Sequence, residues 1–182
     1  MDELIDILDA HGNYTGKRLM KSEAHRKGLF HPTVHIWFYN KKGEILLQQR
    51  AASKETYPLL WDVSVAGHIG AGEDIVSSAI REISEEIGLN VLETDLFKVG
   101  VFKSVKNHRD DLTDCEFHHT YICELKVPLE TLIKQESEVK ALTLLPLSKY
   151  IEELQQNNSS KKYVSHDQLY FQTIIEAIEN QS

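Results

Sequence analysis

The chain has 182 residues, a length that fits one domain with its own hydrophobic core, since single domains typically span about 100–200 residues. Its 28 acidic and 20 basic residues give a formal net charge of −8, which disfavours binding to a nucleic-acid backbone. No apolar run reaches the roughly 18 residues of a membrane helix, and the acidic N-terminus lacks the features of a secretory signal. We therefore expect one cytoplasmic domain over residues 1–182, with no nucleic-acid or membrane partner.

The first elements that the pattern predicts are strands. A run rich in β-branched and aromatic residues predicts a strand over Thr33–Tyr39, and Glu44–Arg50 is expected to complete a hairpin with it. Alternation of apolar and polar residues predicts another strand over Trp61–Ala66. The three glycines within Gly67–Gly72 predict a loop directly after it.

A helix and a mixed set of further elements follow this loop. Helical spacing of apolar residues covers Glu73–Ile87, and Gly88 fits a left-handed C-terminal cap. The later elements expected are two strands and two helices, near Phe97–Ser104, Phe117–Lys126, Leu147–Asn157 and Asp167–Asn180. The residues 157–162 between the two helices read as an exposed linker. This order predicts the α/β (α+β) class, with an α/β/α layering around a mixed sheet.

Three glutamates of the predicted mid-sequence helix share one face. At about 100° per residue, Glu82, Glu85 and Glu86 fall together, while the apolar residues form a separate stripe that can pack on a sheet. Carboxylate oxygens are hard ligands that suit Mg²⁺ or Mn²⁺, and Arg81 is placed to orient one of them. On the glutamates alone, the alternative of a merely solvated helix face stays open.

The spacing of the fixed residues in this segment is specific. The segment begins with a glycine (Gly67) and a glutamate (Glu73). It continues with an Arg-Glu pair and an aliphatic residue (Arg81, Glu82, Ile83), a Glu-Glu pair (Glu85, Glu86), and a closing glycine with an aliphatic residue (Gly88, Leu89). The pattern resembles the Nudix box position for position, and it lies in a predicted loop followed by a helix. The chain is thereby identified as a member of the Nudix hydrolase superfamily, with a core near residues 31–160 and a C-terminal helix near residues 167–180.

The resemblance implies a Nudix-type α/β/α sandwich and Mg²⁺-dependent hydrolysis of a nucleoside diphosphate linked to another group, with Mn²⁺ as an alternative ion. By the family's pattern, the metal ligands are Glu82, Glu85, Glu86 and the Gly67 carbonyl. Glu85 or Glu86 also acts as the base. Glu73 and Arg81 have a structural role or position the metal ligands without binding the ion themselves.

A second resemblance concerns the stretch before the box. Residues 31–68 resemble the corresponding part of isopentenyl-diphosphate isomerases, which share the fold and bind a metal through histidines and glutamates. The matching positions here are His31, His68, Asp114 and Glu116, with His25 as a looser match. The cysteine that the isomerases carry before the Gly-His pair is Ala66, and a methyl group cannot transfer the proton that isomerisation moves. Isomerase activity is therefore the disfavoured alternative.

The remaining site residues are assigned by position. His31 and His68 are expected to line the substrate pocket together with Arg50, although packed histidines are the open alternative. Glu116 lies in a strand-like run from which it can point at the glutamate helix as a catalytic residue, unless the position is simply exposed.

The predicted function is cleavage of a diphosphate bond in a nucleoside diphosphate derivative or a similar small phosphorylated substrate. Two alternatives are an isopentenyl-diphosphate isomerase-like enzyme and a non-catalytic ligand-sensing Nudix domain. A symmetric homodimer is a common arrangement for proteins of this kind and is one expectation here. Cys115 and Cys123 are expected to be reduced, half-buried thiols, because two cysteines at this spacing fit neither a disulfide framework nor a zinc knuckle.

Overall fold

The computed structural model describes residues 2–156 and 159–181. The strands are β1 (Leu4–Leu8), β2 (Tyr14–Met20), β3 (His31–Tyr39), β4 (Glu44–Arg50), β5 (Trp61–Asp62), β6 (Val65–His68), β7 (Phe97–Arg109), β8 (Leu112–Glu124) and β9 (Val139–Pro146). The α-helices are α1 (Lys21–Lys27), α2 (Ile75–Ile87), α3 (Leu147–Leu154) and α4 (Gln168–Glu179). None of the helices in these ranges is long and apolar enough to cross a membrane.

Seven of the strands form one mixed sheet. Its main path runs β5-β4-β3-β8-β7, with β6 paired to β3 and β9 paired to β4. Strands β3 and β8 run parallel, and their register places Glu116 beside His31. The pairs β4–β9 and β7–β8 are antiparallel. Strands β1 and β2 form a separate two-stranded sheet.

Helices cover both faces of the mixed sheet. Every residue of β3 is buried, so alternate side chains enter two different cores. Val34, Ile36 and Phe38 pack in one core with Ala79, Ile83 and Ile87 of α2. Trp37 and Tyr39 pack in the other core with residues of α3 and α4. The predicted α/β/α sandwich with a mixed sheet is confirmed.

Helix α2 follows its sequence signals closely. It begins at Ile75 after Asp74, whose carboxylate accepts a hydrogen bond from the Ser77 N–H at 2.9 Å and so caps the helix. It ends at Gly88, which adopts the predicted left-handed conformation with φ of 66°. The predicted start at Glu73 is two residues early, because Glu73 precedes the cap.

The loop predicted from Gly67 is wrong for its first two residues. Gly67 and His68 belong to β6, since they pair with Val34 and Thr33 of β3. The strand predicted over residues 61–66 is in turn divided into β5 and β6. At the break, the Ser64 hydroxyl accepts from the Phe38 N–H and donates to the Leu46 carbonyl, which ties the chain to both neighbouring strands.

The predicted hairpin of β3 and β4 exists only near its turn. Tyr39 pairs with Ile45, and beyond that pair the two strands separate, because β4 takes β9 as its neighbour. The elements β1, β2 and α1 were not predicted. The helix predicted to Asn157 ends at Leu154 in the structure, while Asn157 and Asn158 lie outside the described residues. Both cysteines are free and buried, deeper than expected.

Candidate active site

The first part of the site is the glutamate cluster of α2. The Glu82 and Glu86 side chains are buried, whereas that of Glu85 is 52% exposed. Burial raises the pKa of Glu82 to about 7 and, together with the nearby Glu82 charge, raises the pKa of Glu86 to about 8. The helix therefore brings two of the three predicted carboxylates inward and leaves the third at the solvent edge.

The Glu86 side chain accepts hydrogen bonds through only one of its two carboxyl oxygens, as far as the described residues show. Its Oε2 accepts from the Gln48 side-chain amide at 3.0 Å and from the Ala66 N–H at 3.3 Å. The other oxygen, Oε1, accepts no hydrogen bond from the described residues. The carboxyl group is thus fixed in orientation while one oxygen stays available for a cation or a water.

Gly67 is required by the close approach of Glu82. A Cβ atom at position 67 would lie 2.0 Å from the Glu82 Cδ atom, so the carboxyl group occupies the space where a side chain would be. Glycine is the only residue without a Cβ. The glycine that opens the motif therefore lets a buried carboxyl group lie directly against the backbone of β6.

Arg81 connects the motif residues to one another. Its guanidinium makes two hydrogen bonds to the Glu73 carboxylate, at 2.9 and 3.0 Å, and further bonds to Glu82 at 2.8 Å and to Glu85 at 3.1 Å. It also donates to the His68 carbonyl at 3.1 Å. The hydrogen bonds from Arg81 lower the pKa of Glu73 to about 2. Arg81 orients carboxylates as expected, and Glu73 in turn fixes Arg81.

Replacing Glu73 by glutamine is expected to lower the free energy of unfolding by about 1–2 kcal/mol at pH 7, because a charge-assisted pair becomes a neutral one. The pKa of Glu73 is lowered from 4.5 to about 2 on folding, so its contribution is complete above about pH 4.5 and is lost as pH falls toward 2. Urea unfolding at several pH values between 3 and 7 measures this. Glu93→Gln, at an exposed glutamate, is the control. A stability difference that does not shrink in acid contradicts the assignment.

The second part of the site is a cluster of three histidines and one carboxylate. The Nε2 atom of His25 lies 3.3 Å from Nε2 of His31 and 3.3 Å from Nε2 of His68. The Oε1 atom of Glu116 lies 3.5 Å from His31 Nε2 and 3.7 Å from His68 Nε2. One atom from each residue falls within 4.8 Å of the others. The parallel register of β3 and β8 brings Glu116 to this position.

This cluster fits a divalent metal ion. The Leu29 carbonyl binds His31 Nδ1 at 2.9 Å, so Nδ1 carries the hydrogen and the Nε2 lone pair faces the other ligands. Burial lowers the pKa of His25 and of His68, which favours the neutral form that binds metals. The 3.3 Å separations match the nitrogen spacing around an ion with metal–nitrogen bonds of about 2.0–2.1 Å. Asp114 Oδ1 is buried nearby without a hydrogen-bond partner.

A pocket of about 300 Å³ opens beside this cluster. Its cationic side chains are Lys21, Arg50, Lys54 and Lys106. His68 and Glu116 also line it, whereas His31 lies behind them, fully buried and outside the lining. The Arg50 guanidinium is held by Asp62 at 3.2 Å and by the Thr56 carbonyl at 3.0 Å. The walls thus combine metal-type ligands with cations that suit a phosphorylated compound.

Strand β6 connects the two clusters. The side chain of His68 belongs to the histidine cluster, and its carbonyl accepts a hydrogen bond from Arg81. The preceding residue, Gly67, faces Glu82 on the other side of the strand. Glu82 and Glu86 do not belong to the pocket lining, which includes their neighbours Ala66 and Gly67.

Several lining residues were not predicted from the sequence. They are Lys54, Asp62, Lys106, His35 and His166. One usable signal was the alternation of His31, Thr33 and His35 in an otherwise apolar strand, since alternate residues of a strand share a face. Lys54 and His166 lie in loops and carried no such signal.

Comparison with known proteins identifies the family. A family model described as the NUDIX domain matches residues 29–168. The chain belongs to the Nudix hydrolase family. It is 34% identical to Nudix hydrolase 3 of Arabidopsis thaliana over 91% of this chain, a match that spans 22% of that longer protein. An uncharacterized Nudix hydrolase of Clostridium acetobutylicum is 34% identical over 80% of this chain and 71% of its own length.

This Nudix chain is also similar to isomerases. Isopentenyl-diphosphate Delta-isomerase 2 of Photorhabdus laumondii is 32% identical over 100% of this chain and 95% of its own length. The expected isomerase-like branch is thereby confirmed. Among solved structures, a Deinococcus radiodurans protein superposes with a TM-score of 0.70 at 16% identity, covering 94% of this chain and 98% of that one. The MutT protein of Methanosarcina mazei gives 0.61 at 17% identity, covering 84% and 94%. These structures show the fold.

Proposed function

We propose that this Nudix protein hydrolyses a diphosphate bond in a small phosphorylated substrate with the help of a divalent cation. The observation that carries the proposal is the pair of buried carboxyl groups, Glu82 and Glu86, held inside the Nudix box. Ionised carboxylates at such positions repel each other, and a bound cation converts this repulsion into attraction. The similarity to proteins named Nudix hydrolase supports the same reaction.

Each part of the box has a role in this proposal. Glu82, Glu85, Glu86 and the Gly67 carbonyl would hold Mg²⁺ or Mn²⁺. A bound ion would stabilise negative charge on the phosphoryl oxygens and lower the pKa of a bound water. Glu86 would accept the proton of the attacking water through Oε1, the oxygen that accepts no hydrogen bond from the described residues, and the charge of a bound cation would keep this carboxyl group ionised. The water oxygen bonds to one phosphorus, the anhydride bond to the bridging oxygen breaks, and that oxygen leaves with the second phosphate.

The histidine cluster would hold a second divalent ion. Imidazole nitrogens suit transition metals better than Mg²⁺, so this position favours an ion such as Mn²⁺ or Zn²⁺ over Mg²⁺. Arg50 and the lysines of the pocket neutralise the charge of the substrate. His68 contributes to binding through the metal cluster, and His31, which the pocket does not reach, acts only as a ligand.

Glu116→Gln is expected to weaken binding of Mn²⁺ or Zn²⁺ at least about tenfold, because it removes the only carboxylate of the ligand group. Metal content after dialysis, measured by elemental analysis, and titration calorimetry with each ion report the change. Glu130→Gln, at an exposed glutamate, is the matched control. Unchanged affinity in Glu116→Gln would remove this residue from the ligand set.

The experiment that tests the function is chromatographic analysis of the products formed from a panel of diphosphates, with and without Mg²⁺ or Mn²⁺, because cleavage of a doubly substituted diphosphate gives two phosphate monoesters and no free phosphate. The panel contains nucleoside diphosphates, nucleotide sugars, dinucleotides, CoA and isoprenoid diphosphates. Metal-dependent turnover of a member supports the hydrolase. Ligand-dependent increases in melting temperature without turnover of any member would favour the ligand-sensing alternative.

The isomerase is the second function that an observation favours, because the histidine–glutamate cluster and the similarity to isomerases agree with it. Ala66 opposes it. This residue lines the pocket beside His68, and its methyl group offers no proton to a double bond. Incubation with isopentenyl diphosphate followed by product analysis is expected to show no dimethylallyl product. Formation of that product by the unaltered protein would instead assign the isomerase.

A further inference from the structure

A second group of histidines forms one wall of the pocket. This imidazole wall consists of His35 on β3, His118 on β8 and His166 in the segment before α4. One ring nitrogen of each lies within 4.8 Å of a ring nitrogen of the others. None of the three is used by the reaction proposed above. The wall is therefore available for a role other than catalysis.

Each of these histidines uses one ring nitrogen inside the protein. His35 Nδ1 contacts Tyr170 Oη at 2.9 Å, His118 Nδ1 contacts Thr33 Oγ1 at 2.8 Å, and His166 Nε2 contacts Asp62 Oδ1 at 3.2 Å. The other ring nitrogen of each histidine has no hydrogen-bond partner among the described residues. These three nitrogens are not enclosed by protein atoms, because the buried polar atoms without partners in the described ranges are only Asp114 Oδ1 and His119 Nδ1.

The ring geometry does not suit a metal ion. His35 and His118 are stacked, with ring centroids 4.0 Å apart and planes 18° from parallel. A ligating imidazole holds its ion near the plane of its ring, and two nearly parallel planes at this spacing do not share such a position. His166 stands edge-on to both rings, at 82°. The wall thus offers hydrogen-bonding ring edges side by side.

The charges around the wall also oppose a phosphate group there. Asp62 contacts His166, and Glu116 Oε2 lies 3.6 Å from His118 Nδ1, so two carboxylates adjoin the wall, while the guanidinium that lines the pocket, that of Arg50, is already paired with the other oxygen of Asp62. Burial holds the pKa of His35 well below its usual range, which leaves a neutral ring. A neutral imidazole nitrogen either donates or accepts one hydrogen bond, and a hydroxyl group can match either role.

We infer that the imidazole wall binds a polyhydroxylated group, such as a sugar or polyol, that the phosphorylated substrate carries. The inference rests on the proposed function, in that the cationic side chains and the metal ligands take the phosphates. The stacked pair of His35 and His118 presents two ring edges side by side, with ring centroids 4.0 Å apart, so two hydroxyl groups of one ligand can each meet a ring nitrogen. A hydrocarbon group at this wall would leave the ring nitrogens without partners and is disfavoured.

Binding of two five-carbon diphosphates tests this inference. Ribose 5-diphosphate and isopentenyl diphosphate have the same number of carbon atoms and carry the same diphosphate group, but only the first carries hydroxyl groups. Titration calorimetry with the Glu86→Gln protein and Mg²⁺ measures affinity without turnover. We expect the ribose compound to bind at least about tenfold more tightly, since a binding site built for hydroxyl groups discriminates strongly against ligands that lack them.

Substitutions in the imidazole wall test whether its histidines cause the tighter binding of ribose 5-diphosphate. His35→Phe is expected to reduce the preference for the ribose compound at least about fivefold, because phenylalanine keeps the ring and removes its nitrogens. His166→Phe, in a segment outside the helices and strands, provides the same test should the buried His35 variant not fold. His119→Phe is the control, since this histidine neighbours His118 on β8 but does not line the pocket.

The outcomes separate this inference from the proposed function. Equal or tighter binding of isopentenyl diphosphate, or no measurable binding of the ribose compound, overturns the inference even if the panel reveals a hydrolase. The same holds for a preference that neither His35→Phe nor His166→Phe changes. Conversely, a preference for the ribose compound that these variants reduce supports the polyol site, even if no metal-dependent hydrolysis is found and the proposed function fails.

Discussion

Glu86→Gln is expected to lower metal-dependent diphosphate hydrolysis by about 10³-fold, within the 10²–10⁴-fold range typical of a lost general base. The change removes the charge that faces the cation and the Oε1 atom that accepts the water proton. Initial rates on the best substrate of the panel, at saturating Mg²⁺ and at saturating Mn²⁺, measure the effect. If the variant retains more than a tenth of the activity, Glu86 is not the base.

The fold of this variant is expected to be intact. The amide oxygen of a glutamine can accept the hydrogen bonds that Gln48 and Ala66 now donate to Oε2. Burial already favours the neutral carboxyl group at this position, since the pKa of Glu86 is raised to about 8. The melting temperature without metal should therefore equal or exceed that of the unaltered protein. Glu93→Gln again serves as the control for activity and stability.

Gly67→Ala is the second change with a large expected effect. The new Cβ would lie 2.0 Å from Glu82 Cδ, so the carboxyl group has to leave its position. We expect hydrolysis to fall by about 10²-fold or more, since misplacing a catalytic group by about 1 Å has effects of this size. Overpacking is expected to lower the free energy of unfolding by about 1–3 kcal/mol. Kinetics and urea unfolding of the purified variant report both.

A double-mutant cycle separates this clash from a general intolerance of alanine in β6. In a Glu82→Ala background the carboxyl group is absent, and Gly67→Ala should then cost much less stability. Gly100→Ala in β7 is the control, because its Cβ would meet only the edge of the Phe102 ring, at 3.2 Å. An equal loss of stability in both backgrounds would show that Glu82 is not the cause.

The parts of the site that were predictable share a local origin. Helix α2, its end at Gly88 and the identity of its glutamates are set by residues within a few turns of one another. Periodicity also predicted that the three glutamates share a face. It could not distinguish Glu85 from the two buried glutamates, because burial depends on which strand packs against that face. Strand β6 packs against the side of the helix that carries Glu82 and Glu86, and it leaves Glu85 exposed.

The histidine cluster shows where local pattern fails. His25 lies in α1, an element that was not predicted, and Glu116 reaches His31 only through the parallel pairing of β3 with β8. A parallel register between strands so distant in the sequence leaves no local periodic trace. The resemblance to isomerases grouped these positions together. It did not show that His31 would lie behind the pocket.

The sequence by itself determined the family, the reaction class expected of it and the residues of the box, because these follow from a fixed motif on one helix. Only the tertiary structure decided which of these carboxyl groups are buried, why position 67 has no side chain, and what lines the pocket. The imidazole wall illustrates the difference, since His35, His118 and His166 come from two strands and a loop. Their meeting depends on strand register and chain closure, which involve contacts between distant residues and are set by the packing of the whole sheet.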